Sequence, residues 1–316
     1  MWRAVLPKAA QLATLQPLNK KICELLTSRK AVRIQEEMAQ QRITIGHSPD
    51  TDDIFMVYGL VSGHIDTRGL VLDFVARDIE TLNTWAKEGK LEVTAMSAHA
   101  FAYTRNRYRI LTHGASMGEN YGPIVVTRQP CTLDELRQMR FAIPGTLTSG
   151  FLMLRLLLGD FIYRQTRFNA ILDEVASGEA DAGLIIYEGQ LTFQQQGLHL
   201  AVDLGQWWHQ QTGGLPFPLS INAIRTDLDA TLAATVSDLL KQSVRFGLEH
   251  RQEALVYALH DNPLLDMTTA NQFIDRYVNF RTLDMGADGK RAVAELLKRG
   301  YQQGILSEAV EIAFLD

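Results

Sequence analysis

Arg42-Ile43-Thr44-Ile45-Gly46-His47-Ser48-Pro49-Asp50-Thr51-Asp52-Asp53-Ile54-Phe55 carries a short β-branched run through one polar loop into a helix. Ile43, Thr44 and Ile45 have strand character, and Gly46-His47-Ser48-Pro49 ends the strand. Residues 52–62 then place Ile54, Phe55, Val57 and Tyr58 at candidate apolar helical positions. Working outward, the alternation continues: residues 71–75 predict a strand, 79–87 a helix closed by Gly89, 93–96 a buried strand and 97–103 a helical segment. A second set begins with strands at 124–126 and 141–143 separated by a helix at 133–139. It continues with helices at 150–158 and 169–177 and a strand at 182–186. After a loop at 207–218 a strand returns at 219–224, and from Asp227 the pattern is nearly all helical, with amphipathic stretches at 228–250 and 290–303. Such alternation predicts parallel α/β layering in two lobes with a cleft between them. The expected division is 42–122 plus 221–316 for the first lobe and 123–220 for an inserted second, with 1–41 as an extension.

The 316 residues are 46% hydrophobic and 21% charged, enough to bury a substantial core and unlike a disordered chain. Thirty-one Lys and Arg against 36 Asp and Glu give a net charge of −5. That balance offers no general attraction to nucleic acid or to an anionic membrane, so neither is expected as a partner. No apolar run reaches the roughly 18–20 residues of a membrane span, because Arg155 interrupts the longest candidate near Phe151. Cys23 and Cys131 fit neither a disulfide framework nor a zinc site, which suits a reducing cytoplasm. The first 37 residues hold seven basic and three acidic side chains, more basic than the rest. Gln35-Glu36-Glu37 before Met38 is what purine-rich codons upstream of a start would encode, so Met38 is expected as the initiator. The alternative is an amphipathic helix over 18–40 that docks or frays.

Three segments can carry chemistry. The loop Ser48-Pro49-Asp50-Thr51-Asp52-Asp53 offers three carboxylates and two hydroxyls at a strand's carboxyl end, where open α/β sheets place ligands. Helix capping by Thr51 or Asp52 competes there with cation binding, and the Gly and distal Glu of a calcium loop are absent. Pro144-Gly145-Thr146-Leu147-Thr148-Ser149-Gly150 puts three hydroxyls and free N–H groups at a helix N-terminus, suited to an anionic oxygen or to a plain Ser/Thr cap. Trp207-Trp208 with Leu215-Pro216-Phe217-Pro218 could wall a flat organic ligand or pack the lobes. The histidines are scattered without metal-ligand spacing, so no metal is expected.

Several blocks in order resemble the 1,4-dihydroxy-6-naphthoate synthase family of the futalosine route to menaquinone. They are Ile45-Gly46-His47-Ser48-Pro49 with Asp53 and Phe55, Asp78-Ile79-Glu80-Thr81-Leu82-Asn83-Thr84-Trp85, Glu179-Ala180-Asp181-Ala182-Gly183-Leu184-Ile185-Ile186, and Val202-Asp203-Leu204-Gly205-Gln206-Trp207-Trp208. The resemblance implies a type II periplasmic-binding-protein-like fold used by a cytosolic lyase. That lyase cleaves cyclic dehypoxanthine futalosine without metal or organic cofactor. It implies substrate-binding positions at Ala95-Met96-Ser97 and at Ser149-Gly150; the two loops read above add Thr148, Ser48 and Asp52 as candidates. Two positions depart from the family: Tyr187 stands where it has its general-base histidine, and Asp50-Thr51-Asp52 where it usually has Cys-Pro-Asn. An imidazole accepts a proton at neutral pH, whereas a phenol with its ordinary value near 10 mainly donates. Two expectations follow: a lyase using Tyr187 or a displaced base, or a non-catalytic binder of a small carboxylate or aromatic molecule.

Overall fold

A computed structural model describes residues 41–316 except 261, 263 and 264, so the expectations for Met38 and for 18–40 lie outside the described residues. Of the described residues, 41–43 with Thr67–Leu72 form a small compact unit, in which the Val71 N–H donates to the Gln41 carbonyl at 3.2 Å. Thr44–Asp66 with Asp73–Asp316 form the large unit that carries the site.

The chain lays down β1 (Arg42–His47), β2 (Val71–Ala76), β3 (Val93–Ser97), β4 (Tyr108–Leu111) and β5 (Ser116–Gly118). It then builds a second sheet from β6 (Ile124–Thr127), β7 (Arg140–Ile143), β8 (Ile162–Gln165), β9 (Ala182–Ile185) and β10 (His199–Asp203). It returns to the first sheet with β11 (Phe217–Arg225) and β12 (Phe314–Leu315). The first sheet runs β12-β4-β11-β3-β1-β2 with β5 on β11, the second β10-β6-β9-β7-β8.

The central strands of the second sheet, β6, β7 and β9, are buried on both faces and alternate between two cores as the two-residue period requires. Val125, Phe141, Ile143 and Leu184 enter a large core with Met96, Phe101 and Leu296. Their neighbours Ile124, Val126, Ala142 and Ile185 enter a smaller one with Ile171, Val175 and Phe193.

The observed elements correct the sequence reading in several places. Both sheets are mixed: β1 pairs with β3 in parallel, but β11 pairs antiparallel with β3, and β6 antiparallel with β9. Strands β4, β5, β8, β10 and β12 have no counterpart in the sequence reading. The expected loop at 207–218 begins as a helix, Leu204–Thr212. Asp203 caps it by accepting from Gly205 and Gln206, and Gly213 ends it in the left-handed region at φ 66°. Trp208 on that helix is fully buried, its indole donating to the Pro216 carbonyl at 2.8 Å, so it packs the large core and walls no ligand. Among the described residues, no helix is long and apolar enough to cross a membrane.

Candidate active site

The C-terminal ends of β1 and β3, two helix starts and β11 converge on one small cavity. The loop after β1 supplies Ser48, Asp50, Asp52 and Asp53, and the end of β3 supplies Ser97. Thr148 and Ser149 come from the start of the helix Ser149–Leu158, and Ser220 from β11. Ile79, Ile186, Leu219 and Phe273 make the apolar sides. Polar groups converging among apolar walls is what a site for a small organic molecule requires.

Each polar wall is fixed by hydrogen bonds. Ser97 is held by Asn83: its N–H donates to Asn83 Oδ1 at 2.8 Å, and Asn83 Nδ2 donates to its hydroxyl at 3.1 Å. Asn83 also donates to Glu80 Oε2 at 3.3 Å, and Glu80 accepts the Leu147 N–H at 3.1 Å. One helix, Ile79–Glu88, thereby ties the end of β3 to the turn that carries Thr148 and Ser149. Gly145 in that turn is required by close approach, because a Cβ there would lie 2.1 Å from Glu80 Cδ. Thr148 caps the helix by accepting the Phe151 N–H at 3.1 Å. The neighbouring Ser149 hydroxyl is buried without a hydrogen-bond partner and lines the cavity, at the positive end of a ten-residue helix. Thr148 thus serves the helix as a cap, as one of the two readings has it, while the adjacent Ser149 hydroxyl takes no part in capping.

The acidic wall follows neither of the readings weighed for it. Asp50 is the N-cap residue of the helix Thr51–Val61, but its side chain accepts no capping bond. Glu188, from the turn after β9, takes that role by accepting the Thr51 N–H at 2.9 Å and the Thr51 hydroxyl at 2.6 Å. Asp53 accepts the Ser48 N–H at 2.7 Å, and Asp52 accepts the Ser116 hydroxyl at 2.5 Å. Among the described residues, no Lys or Arg pairs with these four carboxyls, and no group of His, Cys, Asp and Glu is arranged to hold a metal ion.

Burial, reinforced by Asp53, pushes Asp52 up to about 8 from an ordinary 3.8. Burial also pushes Asp50 well above that ordinary value, with Glu188, Asp52 and Asp53 adding to the effect, and it raises Asp53 as well.

The remaining candidates lie apart from the lining. Ala95 sits in a small core with Leu82 and Leu91, and Met96 in the large core, because β3 is flanked by β1 and β11 and buried throughout. Gly150 is a packing position: a Cβ there would meet Ile186 Cγ2 at 3.1 Å. Tyr187 is absent from the lining, whereas its neighbour Ile186 is present. Its ring packs edge-on to Phe168, with centroids 5.3 Å apart, against the smaller core of the second sheet. Burial, with Glu188, Asp173 and Asp50 adding to it, holds the phenol far above its ordinary value and therefore protonated. The sequence reading names Asp50 only as one of three loop carboxylates, and gives Glu80, Asn83, Glu188 and Phe273 no site role. Glu80 and Asn83 share a helix face three residues apart, a spacing visible within the block Asp78 to Trp85.

The family model described as "Menaquinone biosynthesis" matches residues 43–302. A 1,4-dihydroxy-6-naphthoate synthase of Thermus thermophilus is 37% identical over 87% of this chain and 100% of its own. One of Streptomyces coelicolor is 30% identical over 85% and 96%. A solved protein of Archaeoglobus fulgidus, 39% identical, superposes with a TM-score of 0.80 over 84% of this chain and 98% of its own. The alkanesulfonate-binding protein of Xanthomonas axonopodis, at 12% identity and a TM-score of 0.64 over 88% and 98%, shares the fold. On this evidence of fold and sequence together, two mixed sheets in the periplasmic-binding-protein arrangement, the chain belongs to the menaquinone-biosynthesis family that includes the 1,4-dihydroxy-6-naphthoate synthases.

Proposed function

We propose that the protein is a cytoplasmic lyase that cleaves cyclic dehypoxanthine futalosine to 1,4-dihydroxy-6-naphthoate, with no metal or organic cofactor. Its partner is the small-molecule substrate alone, without nucleic acid or membrane. The observation that carries this reading is the unpartnered Ser149 hydroxyl, buried in a cavity that Ser97 and Thr148 also line. Apolar Ile79, Ile186, Leu219 and Phe273 suit the faces of a fused ring, and the helix N-terminus at Ser149 favours a carboxylate oxygen. The substrate-binding candidates are therefore Ser48, Asp52, Ser97, Thr148 and Ser149 from the lining, with Ala95, Met96 and Gly150 supporting them from behind.

The packing of Tyr187 against Phe168, with its proton retained, favours a second reading in which the protein binds the naphthoate without forming it. Incubation with cyclic dehypoxanthine futalosine, followed by mass detection of 1,4-dihydroxy-6-naphthoate, separates the two. Product formation supports the lyase, and tight binding of the naphthoate with no turnover supports the binder.

A further inference from the structure

We propose that Asp50 is the group that exchanges the proton with the substrate in this cavity, taking the place of the family's imidazole. This rests on the lyase reading above. Asp53 gives one oxygen to the Ser48 N–H, Asp52 one to the Ser116 hydroxyl, and Glu188 one to both the N–H and the hydroxyl of Thr51. Asp50 lines the cavity with Asp52 and Asp53, makes no side-chain capping bond to its own helix and has the Ser48 hydroxyl beside it. Asp52 and Asp53 are buried and Asp50 is half-buried, which makes it the most open of the three to a ligand.

That a ligand belongs there is indicated independently by Ser149, whose buried hydroxyl enters the cavity with no protein partner. Acidic side chains repel a ligand carboxylate but accept bonds from hydroxyls. The ligand is therefore oriented with its anionic end toward Ser149 and its hydroxyl-bearing end toward Asp50.

The groups facing Asp50 set its basicity. Asp52 and Asp53 come from its own helix and Glu188 from the turn after β9, all acidic, while Ser48 offers a hydroxyl and Tyr187 a protonated phenol. Burial first, and the like charges beside it second, make Asp50 a better proton acceptor than an exposed carboxylate. In the step, ionised Asp50 takes a proton from a substrate hydroxyl. The electron pair of that O–H bond closes a carbonyl as the adjacent bond to the departing fragment breaks; the pair of the broken bond leaves with the fragment, which takes the same proton back from the carboxyl. No proton is consumed and no oxidant or reductant enters.

The test compares wild type, Asp50→Asn and Asp50→Glu for steady-state release of the naphthoate across about pH 5–9, for naphthoate affinity and for thermal melting. Asp50→Asn is expected to lower kcat roughly 10²–10⁴-fold, to keep naphthoate affinity within about threefold and to lose the acidic limb of the wild-type profile, while Asp50→Glu keeps a measurable rate. An Asp50→Asn enzyme within about tenfold of wild type overturns the proposal, as does one that melts early and loses turnover and affinity together. Should that variant fail to fold, calorimetry of naphthoate binding to the wild type in buffers of different ionisation enthalpy decides. A fractional proton exchange supports the proposal and none overturns it. A wild type that forms no naphthoate overturns the lyase reading and this proposal with it. An active wild type beside an equally active Asp50→Asn overturns this proposal alone.

Discussion

Ser149 and Tyr187 show how much of a site depends on where one side chain points. Removing the Ser149 hydroxyl takes nothing from the protein's own hydrogen bonding, because that oxygen has no partner. Ser149→Ala is therefore expected to leave the melting temperature unchanged or slightly higher. It should weaken naphthoate binding by about 0.5–1.5 kcal/mol, the net worth of one hydrogen bond. Fluorescence titration beside a thermal melt checks both halves. Tyr187→Phe removes a phenol that packs on Phe168 outside the cavity lining, so turnover should stay within about threefold of wild type, well short of the loss expected for a proton-transfer group. A hundredfold fall in kcat would return the phenol to the chemistry. The sequence distinguishes Tyr187 from an imidazole but not its direction: residues alternate across a strand end, and one position separates lining Ile186 from packed Tyr187. Asp50 was hidden for a related reason, since three aspartates in one loop are equivalent until their hydrogen-bond partners are known.

At the scale of elements, the legible parts are those with a long period or a strong cap. The strand, loop and helix from Arg42 to Val61 and the helix Ser149–Leu158 announce themselves through apolar spacing and through Thr148. The helix Leu204–Thr212 is missed because Gly213-Gly214 and two prolines beyond it read as a loop, while its start depends on one capping Asp203. Asp203→Ala should cost about 1 kcal/mol in urea unfolding, the usual worth of such a cap. The link from helix Ile79–Glu88 to the turn at Gly145 makes a sharper prediction. A methyl group at Gly145 would lie 2.1 Å from Glu80 Cδ, and Glu80 cannot retreat without releasing Leu147 and Asn83. Gly145→Ala is expected to lose roughly 1–3 kcal/mol of stability, as overpacking does, and to raise KM by displacing Ser97 and Ser149. A variant with wild-type KM and an unchanged urea midpoint would show that this helix merely abuts the turn.

For the molecule as a whole, the buried titratable groups make stability depend on pH in two opposed ways. Asp52, pushed up to about 8, binds a proton in the folded protein that the unfolded chain, with an ordinary 3.8, has already released. Its contribution is complete below about 4 and is lost as pH rises through about 8. His99 and His113 act in the other sense: burial pushes each down to about 4 from 6.5, so the unfolded chain binds protons that the folded one refuses. Their contribution is complete above about 6.5 and is lost as pH falls through about 4. Below pH 6.5 the two effects offset each other in part, whereas between pH 6.5 and 8 only the carboxyl remains, aided by Asp50 and Asp53, which are raised for the same cause. The melting temperature should therefore fall from pH 6.5 to pH 8. Asp52→Asn, which cannot ionise but still accepts from Ser116, should flatten that slope and melt higher than wild type at pH 8. Thermal melts of the two proteins at matched ionic strength decide it. A wild-type curve that rises over this interval, or a variant that melts lower at pH 8, would mean that the aspartates remain ionised in the fold and that a compensating charge reaches the cavity wall.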